Sequence, residues 1–367
     1  MKAFRLCLLG ILFPLVLNAS TNPPVFQIAT QFSEGEFHKQ LEILTGVFPI
    51  PVGPSAKKVL PDRYTTESMK YVRQYLAQYL TNLGYDVRVE QFDVTLSKRH
   101  QARDPQGYNL VVEIPGQTQE IVMLGAHYDT TGVNRPGAND NATGVAAVLE
   151  AARVFKHIQV KPLHTIRLVL FDAEELKPYF LGSAAHLEHS RKLKEKIKLF
   201  VNLDMLGDSR TEAGLFALFD RGEFESVGAL VENVNKKSQN PIQLESWGPY
   251  YSDHQSGIAR GVPSVSLAEK SVDPLGNEAE YYKFYHKDTD TIEKVNIPYA
   301  ARLGAFATAI VFAASQSEDS YIVTSSRLSH VMRNFFERLK FRWRGNPIKN
   351  ISDAPTTLGV QSCSHIL

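Results

Sequence analysis

Three short segments concentrate the side chains that could do chemistry. Leu124-Gly-Ala-His-Tyr-Asp-Thr130 is followed by Gly137-Ala-Asn-Asp-Asn-Ala-Thr-Gly144 and then by Phe171-Asp-Ala-Glu-Glu175. Each sets His, Asp or Glu where an apolar, β-prone run ends. Carboxylates and imidazoles are costly to bury unless they are paired or bound to a metal. Several of them at strand ends point to a hard-cation or zinc site at the edge of a sheet.

Each residue has a plainer alternative. In His127-Tyr-Asp129, extended backbone puts the two side chains on one side. His127 can then bind a metal while Asp129 orients it; the alternative is a surface turn. Asp140 stands at the start of an expected helix, where Asp also serves as an N-cap, and its two oxygens could bridge two cations. Glu174 and Glu175 would repel each other at a buried strand end. One as metal ligand and the other as general base relieves this; the alternative is an exposed acidic helix start. Asp204 closes Phe200-Val-Asn-Leu-Asp204, and His286 lies in Tyr285-His-Lys-Asp-Thr-Asp-Thr291. Together the set is two His and three carboxylates, an oxygen-rich composition that suits two zinc ions, or zinc with another divalent cation.

The elements that must position these groups alternate. Strand-like runs are expected at 87–92, 109–114, 121–126, 166–171, 199–202 and 264–267, several of them nearly continuous in apolar residues, as in strands buried on both faces. Helical spacing marks 32–44, 66–83, 144–155, 182–193 and 299–314, with Gly84 as the stop of the second. The expected fold class is α/β: one domain with a mixed, mostly parallel sheet and helices on both faces. Sites in such sheets lie at the carboxyl ends of strands, where His127, Glu174, Glu175 and Asp204 fall.

The chain has 367 residues, room for one large α/β domain or two small ones. A net charge of +1 gives no global support to a nucleic-acid partner. Lys2 and Arg5 before the apolar run Leu6–Leu17, with Asn18-Ala-Ser20 behind it, read as a signal peptide over 1–20. The protein is therefore expected to be exported, to the periplasm or the medium. Of its two cysteines, Cys7 and Cys363, only the second would survive cleavage, so no internal disulfide is expected. Residues 21–315 read as the domain and 316–367 as a basic C-terminal tail. In the tail, Arg327 to Arg344 could form a basic amphipathic helix with Leu328, Met332, Phe335 and Leu339 on one face. Such a helix can lie on an anionic membrane, but a docked or loosely ordered tail is preferred. His157, His164, His186, His189, His330 and His365 carry no motif, and surface or helix positions account for them; His254 reads as a buried hydrogen-bonding residue.

As a set, the segments resemble peptidase family M28. Those that match are Gly-Ala-His-Tyr-Asp, Gly-Ala-Asn-Asp-Asn-Ala-Thr-Gly, Phe-Asp-Ala-Glu-Glu, Phe-Leu-Gly-Ser, Asn-Leu-Asp-Met, Ser-Asp-His and Tyr-His-Lys-Asp-Thr-Asp-Thr, in the family's order, over roughly Pro49 to Ala314. The resemblance implies a zinc-exopeptidase-like fold and an aminopeptidase acting on peptides with a free N-terminus. It implies that His127, Asp140 and Asp204 hold one zinc, and that Asp140, Glu175 and His286 hold the other. Asp129 would orient His127, Glu174 would be the general base, and Tyr285 would stabilise the oxyanion. Asp253 would lie near the substrate and Asp290 would support the His286 loop. The chain departs from many members in Leu-Lys-Pro-Tyr after Glu175, where Lys177 and Tyr179 could reshape the pocket mouth. Two other readings are a glutaminyl-peptide cyclotransferase with one zinc on the same fold, and a peptidase-like domain that only binds a partner.

Overall fold

The computed structural model describes residues 25–51, 56–96, 100–208, 216–220, 224–246, 251–269, 283–320 and 349–350. The expected signal peptide and the basic segment 327–344 lie outside the described residues.

Helices α1 (Val25–Thr30) and α2 (Glu34–Leu44) come first, followed by a small hairpin of β1 (Ile50–Pro51) and β2 (Lys57–Lys58) and by α3 (Thr66–Asn82). Ser33 and Thr65 cap α2 and α3 by accepting from the amides of Glu36 and Ser68. Gly84, at φ +82°, follows α3 as its left-handed stop. Then come β3 (Arg88–Asp93), β4 (Gln106–Ile114), β5 (Thr118–His127), α4 (Thr143–His157), β6 (His164–Phe171), α5 (Leu181–Lys192) and β7 (Ile197–Leu203). The chain continues through β8 (Phe216–Asp220), α6 (Glu225–Lys236), β9 (Gln243–Ser246), α7 (His254–Ile258), β10 (Ser264–Glu269), α8 (Ile297–Gln316) and β11 (Lys349–Asn350).

The main sheet has the order β11-β3-β4-β6-β5-β7-β10-β8-β9. Its centre, β6-β5-β7-β10, is parallel, and β8 and β9 also pair in parallel. Antiparallel pairing joins β11, β3, β4 and β6 on one flank and β10 with β8 on the other. The mixed sheet is as expected, with the parallel part concentrated where the candidate ligands are. β11 places two residues of the tail against the β3 edge.

Strand alternation builds two cores. Val122, Leu124 and Ala126 of β5 face the large core that includes α4 and α8, whereas Ile121 and Met123 face a smaller core with Val169, Phe171 and Leu187. α8 is long and apolar enough by composition to cross a membrane, but 72% of its most apolar window is buried. It is the central core helix, apolar all round because it is packed all round.

Candidate metal centre

Because β6, β5 and β7 are parallel neighbours, their carboxyl ends lie side by side. β5 ends on His127, Asp172 to Glu175 follow β6, and Asp204 follows β7. Four more residues reach this edge from loops: Asp140, Asp253, Tyr285 and His286.

Asp140 is not an N-cap. α4 begins only at Thr143, and Asp140 has φ −111° and ψ 88°, outside helical values. Gly137 enters this loop at φ +57°, where a side chain would collide with the Asp140 carbonyl and Thr130. Asp290 ties the loop down from the His286 side: its Oδ1 and Oδ2 accept from the amides of Asn139 at 2.9 Å and Asp140 at 3.0 Å. Asn141 ties it to β7, donating to the Leu203 carbonyl at 2.8 Å. Asn141-Ala-Thr143 matches the acceptor pattern for N-glycosylation, but Asn141 is fully buried.

The Asp140 carboxylate divides between two imidazoles. Oδ1 lies 3.4 Å from His127 Nε2, and Oδ2 lies 3.3 Å from His286 Nε2. His127 Nε2 is also 3.4 Å from Asp204 Oδ1, and His286 Nε2 is 3.2 Å from Glu175 Oε2. The geometry thus gathers His127, Asp140 and Asp204 on one side and Asp140, Glu175 and His286 on the other. Glu174 is also in reach: His127, Glu174 and Asp204 offer ligand atoms within 4.8 Å of one another. Neither Glu lies on an exposed helix start, since both are buried and α5 begins only at Leu181.

Asp129 has a different first task from the one expected. His127 Nδ1 lies 3.2 Å from the Asp129 carbonyl and 3.7 Å from its carboxylate. The carboxylate instead accepts from the amides of Glu174 at 3.0 Å and Glu175 at 3.3 Å. Asp129 therefore couples the β5 end to the Glu pair, because the chain turns out of the strand after His127. Asp253 is fully buried, and burial raises its pKa to about 7. The Tyr285 ring stacks on His286 with centroids 3.5 Å apart. Tyr179 stands half exposed beside the site: burial first, then the charges of Glu175 and Glu174, raise its pKa.

Burial and like charge set the electrostatics of the cluster. Burial and the charge of Asp140 push Glu175 up to about 8, and burial with neighbouring acids pushes Glu174 well above the ordinary range. Burial opposes charge on His286, yet Asp140 and Glu175 outweigh it and raise its pKa to about 10. Asp204 Oδ1 is buried and meets His127 Nε2 at 3.4 Å, longer than a good hydrogen bond. Buried acids in this state are satisfied by protons or by a cation. Imidazole and carboxylate donors on two sides of one carboxylate fit divalent ions of the zinc type.

Two features were illegible in the sequence. Arg63, buried under the Asp140 loop, carries no motif. His164 and His186 are buried rather than surface residues; His186 Nδ1 lies 2.7 Å from Glu90 Oε2, and His164 Nε2 lies 2.8 Å from the Ser317 carbonyl. His254 is buried with Gln255 Nε2 at 3.2 Å, as expected of a hydrogen-bonding residue.

The chain is 28% identical over 262 residues to leucine aminopeptidase 1 of Arthroderma otae, a match covering 64% of each. It is 31% identical over 227 residues to aminopeptidase YwaD of Bacillus subtilis, covering 60% of this chain and 47% of the relative. It thus spans less than two thirds of either relative's length. In fold it is similar to LapB from Legionella pneumophila (TM-score 0.62, 18% identity, 83% of this chain and 77% of the other). It is equally similar to BSAP, a zinc aminopeptidase from Bacillus subtilis (TM-score 0.62, 18% identity, 80% and 98%). Residues 109–311, more than half of the chain, match peptidase family M28. That stretch runs from β4 into α8 and carries every ligand-capable side chain placed above, so the chain belongs to peptidase family M28.

Proposed function

We propose that this protein is an exported, zinc-dependent aminopeptidase that hydrolyses the N-terminal residue from peptides. The observation that carries the reading is the division of Asp140 between His127 and His286. His127, Asp140 and Asp204 would hold one zinc, and Asp140, Glu175 and His286 the other. When bound, the ions supply Lewis acidity, lowering the pKa of a water toward about 7 and polarising the scissile carbonyl.

The remaining work belongs to the chain. Glu174 accepts the proton of the attacking water and passes it to the leaving amine. Its backbone is fixed for this by Asp129. Tyr285, whose ring stacks on His286, would donate to the developing oxyanion. The free α-amine of the substrate would be held beside the carboxylates, which would limit cleavage to the N-terminal residue. Export rests on the charged and apolar pattern of residues 1–20. The domain is taken as 21–315.

The test is a panel of aminoacyl arylamides and N-terminal glutaminyl peptides, starting with leucyl arylamide because of the relatives' names. Release of free amino acids, lost on chelation and restored by zinc, supports the reading. Formation of pyroglutamyl peptide without amino-acid release would replace it with the cyclotransferase. A metal-loaded protein that turns over neither class would leave only a binding domain.

A further inference from the structure

We infer that Arg63 is a positioning residue that braces the two ligand-bearing loops against each other and so sets the affinity of the centre for its cations; this rests on the proposed metal centre. Arg63 lies between β2 and α3, outside every motif, and its side chain is fully buried. A buried guanidinium is costly unless its donors are all used, and their partners define its role. Nε donates to the Tyr128 carbonyl at 2.9 Å, and Nη2 donates to the Gly137 carbonyl at 2.8 Å. Nη1 donates to the carbonyls of Leu44, at 2.9 Å, and Pro136. The backbone adds two bonds. Arg63 N donates to Thr130 Oγ1 at 3.2 Å, and Thr130 N donates to the Arg63 carbonyl at 3.0 Å.

Tyr128 and Thr130 flank Asp129 and follow His127. Pro136 and Gly137 open the loop that presents Asp140. The rigid planar fork therefore spans the stretch carrying one imidazole ligand and the loop carrying the shared carboxylate. All four side-chain acceptors are backbone carbonyls, although Asp290, Asp140, Asp129 and Asp62 act on Arg63 through their charge. A residue whose task was to neutralise one acid would bind that acid. One that grips the backbone of two loops fixes where they stand.

The test compares Arg63→Lys with Arg167→Lys in the full chain. Arg167 is also buried but serves the opposite side of the sheet, bound to Glu113 and Glu195. Zinc dissociation constants are measured by competition with a chromogenic chelator, together with thermal unfolding of the metal-free forms and kcat and KM for leucyl arylamide. Lysine offers a point charge that cannot span both loops. Arg63→Lys should weaken zinc binding about 10–100-fold, as loss of a group that orients ligands does. Its kcat should fall more than its KM rises, as expected when groups acting in the transition state are misplaced. Arg167→Lys should lose thermal stability with wild-type zinc affinity. Unchanged zinc affinity in Arg63→Lys, or equal weakening in both variants, overturns the inference. If Arg63→Lys does not fold, Arg63→Gln, a planar amide whose donors reach fewer of the four carbonyls, takes its place: weaker zinc binding supports the inference and an unchanged constant overturns it. Wild-type protein that binds no zinc in the same titration fails the metal centre itself and the brace with it.

Discussion

Two of the buried polar clusters among the described residues are balanced in opposite ways. Between α5 and the sheet, Glu90 meets His186 Nδ1 at 2.7 Å and Arg88 Nη2 at 3.2 Å. Arg167 there donates to Glu113 at 2.7 Å, to both oxygens of Glu195 at 2.7 and 2.9 Å, and to Ser190 at 3.1 Å. Every charge has an opposite within reach, and the carboxyls of Glu90 and Glu195 are both held near a pKa of about 2 against the burial that would raise them. At the carboxyl ends of β5, β6 and β7, four acids crowd two imidazoles, and no Lys or Arg forms an ion pair with them among the described residues. The first cluster is balanced within the protein; the second offers ligand-capable acids and imidazoles that a proton or a cation would satisfy. Such balance separates a structural network from a site when residue type and burial do not.

The comparison breaks or holds on a pair of conservative substitutions. Glu174→Gln should lower kcat by about 10²–10⁴-fold, the usual loss for a general base, with metal retained and stability at or above wild type. Glu90→Gln should do the reverse, keeping activity and losing stability. Wild-type turnover in the first, or an inactive but stable second, would erase the distinction.

Acid sharpens it. Glu90 is depressed from 4.5 to about 2, so its contribution is present above pH 4.5 and is lost as pH falls from 4.5 through 2. The contribution is on the order of 3 kcal/mol. Urea unfolding of wild type and Glu90→Gln over that window should show a steeper acid loss in the wild type. Parallel curves would show that the pair is not depressed. The smallest effect lies away from both clusters: Thr65→Ala, which removes the cap of α3, should cost about 1 kcal/mol in the same assay and leave activity unchanged.

What the sequence made legible follows from range. Apolar runs ending in His, Asp or Glu are local, so the sequence alone places His127, Glu174, Glu175 and Asp204 at strand ends. Helices α2, α3, α4, α5 and α8 were legible from their spacing, whereas α6, with twelve residues, was missed. β8, β9 and α7 were missed too, since each spans only four or five residues and shows no clear period. The buried state of His186 was hidden because its partner Glu90 is 96 residues away. Arg63 was hidden for the same reason: its carbonyl partners lie 19 to 74 residues away. The task of Asp129 was half legible, because spacing gave its nearness to His127 but not the turn that sends its carboxylate to the amides of Glu174 and Glu175.

Two cations that share Asp140 would complete the acid-rich edge of the sheet. Elemental analysis of the zinc-loaded chain, beside its Asp140→Asn variant, tests it most directly. Two divalent ions per wild-type chain and weakened binding of both in the variant are expected, whereas a fully active protein holding one ion, or a variant that binds as the wild type does, would rule out a shared Asp140.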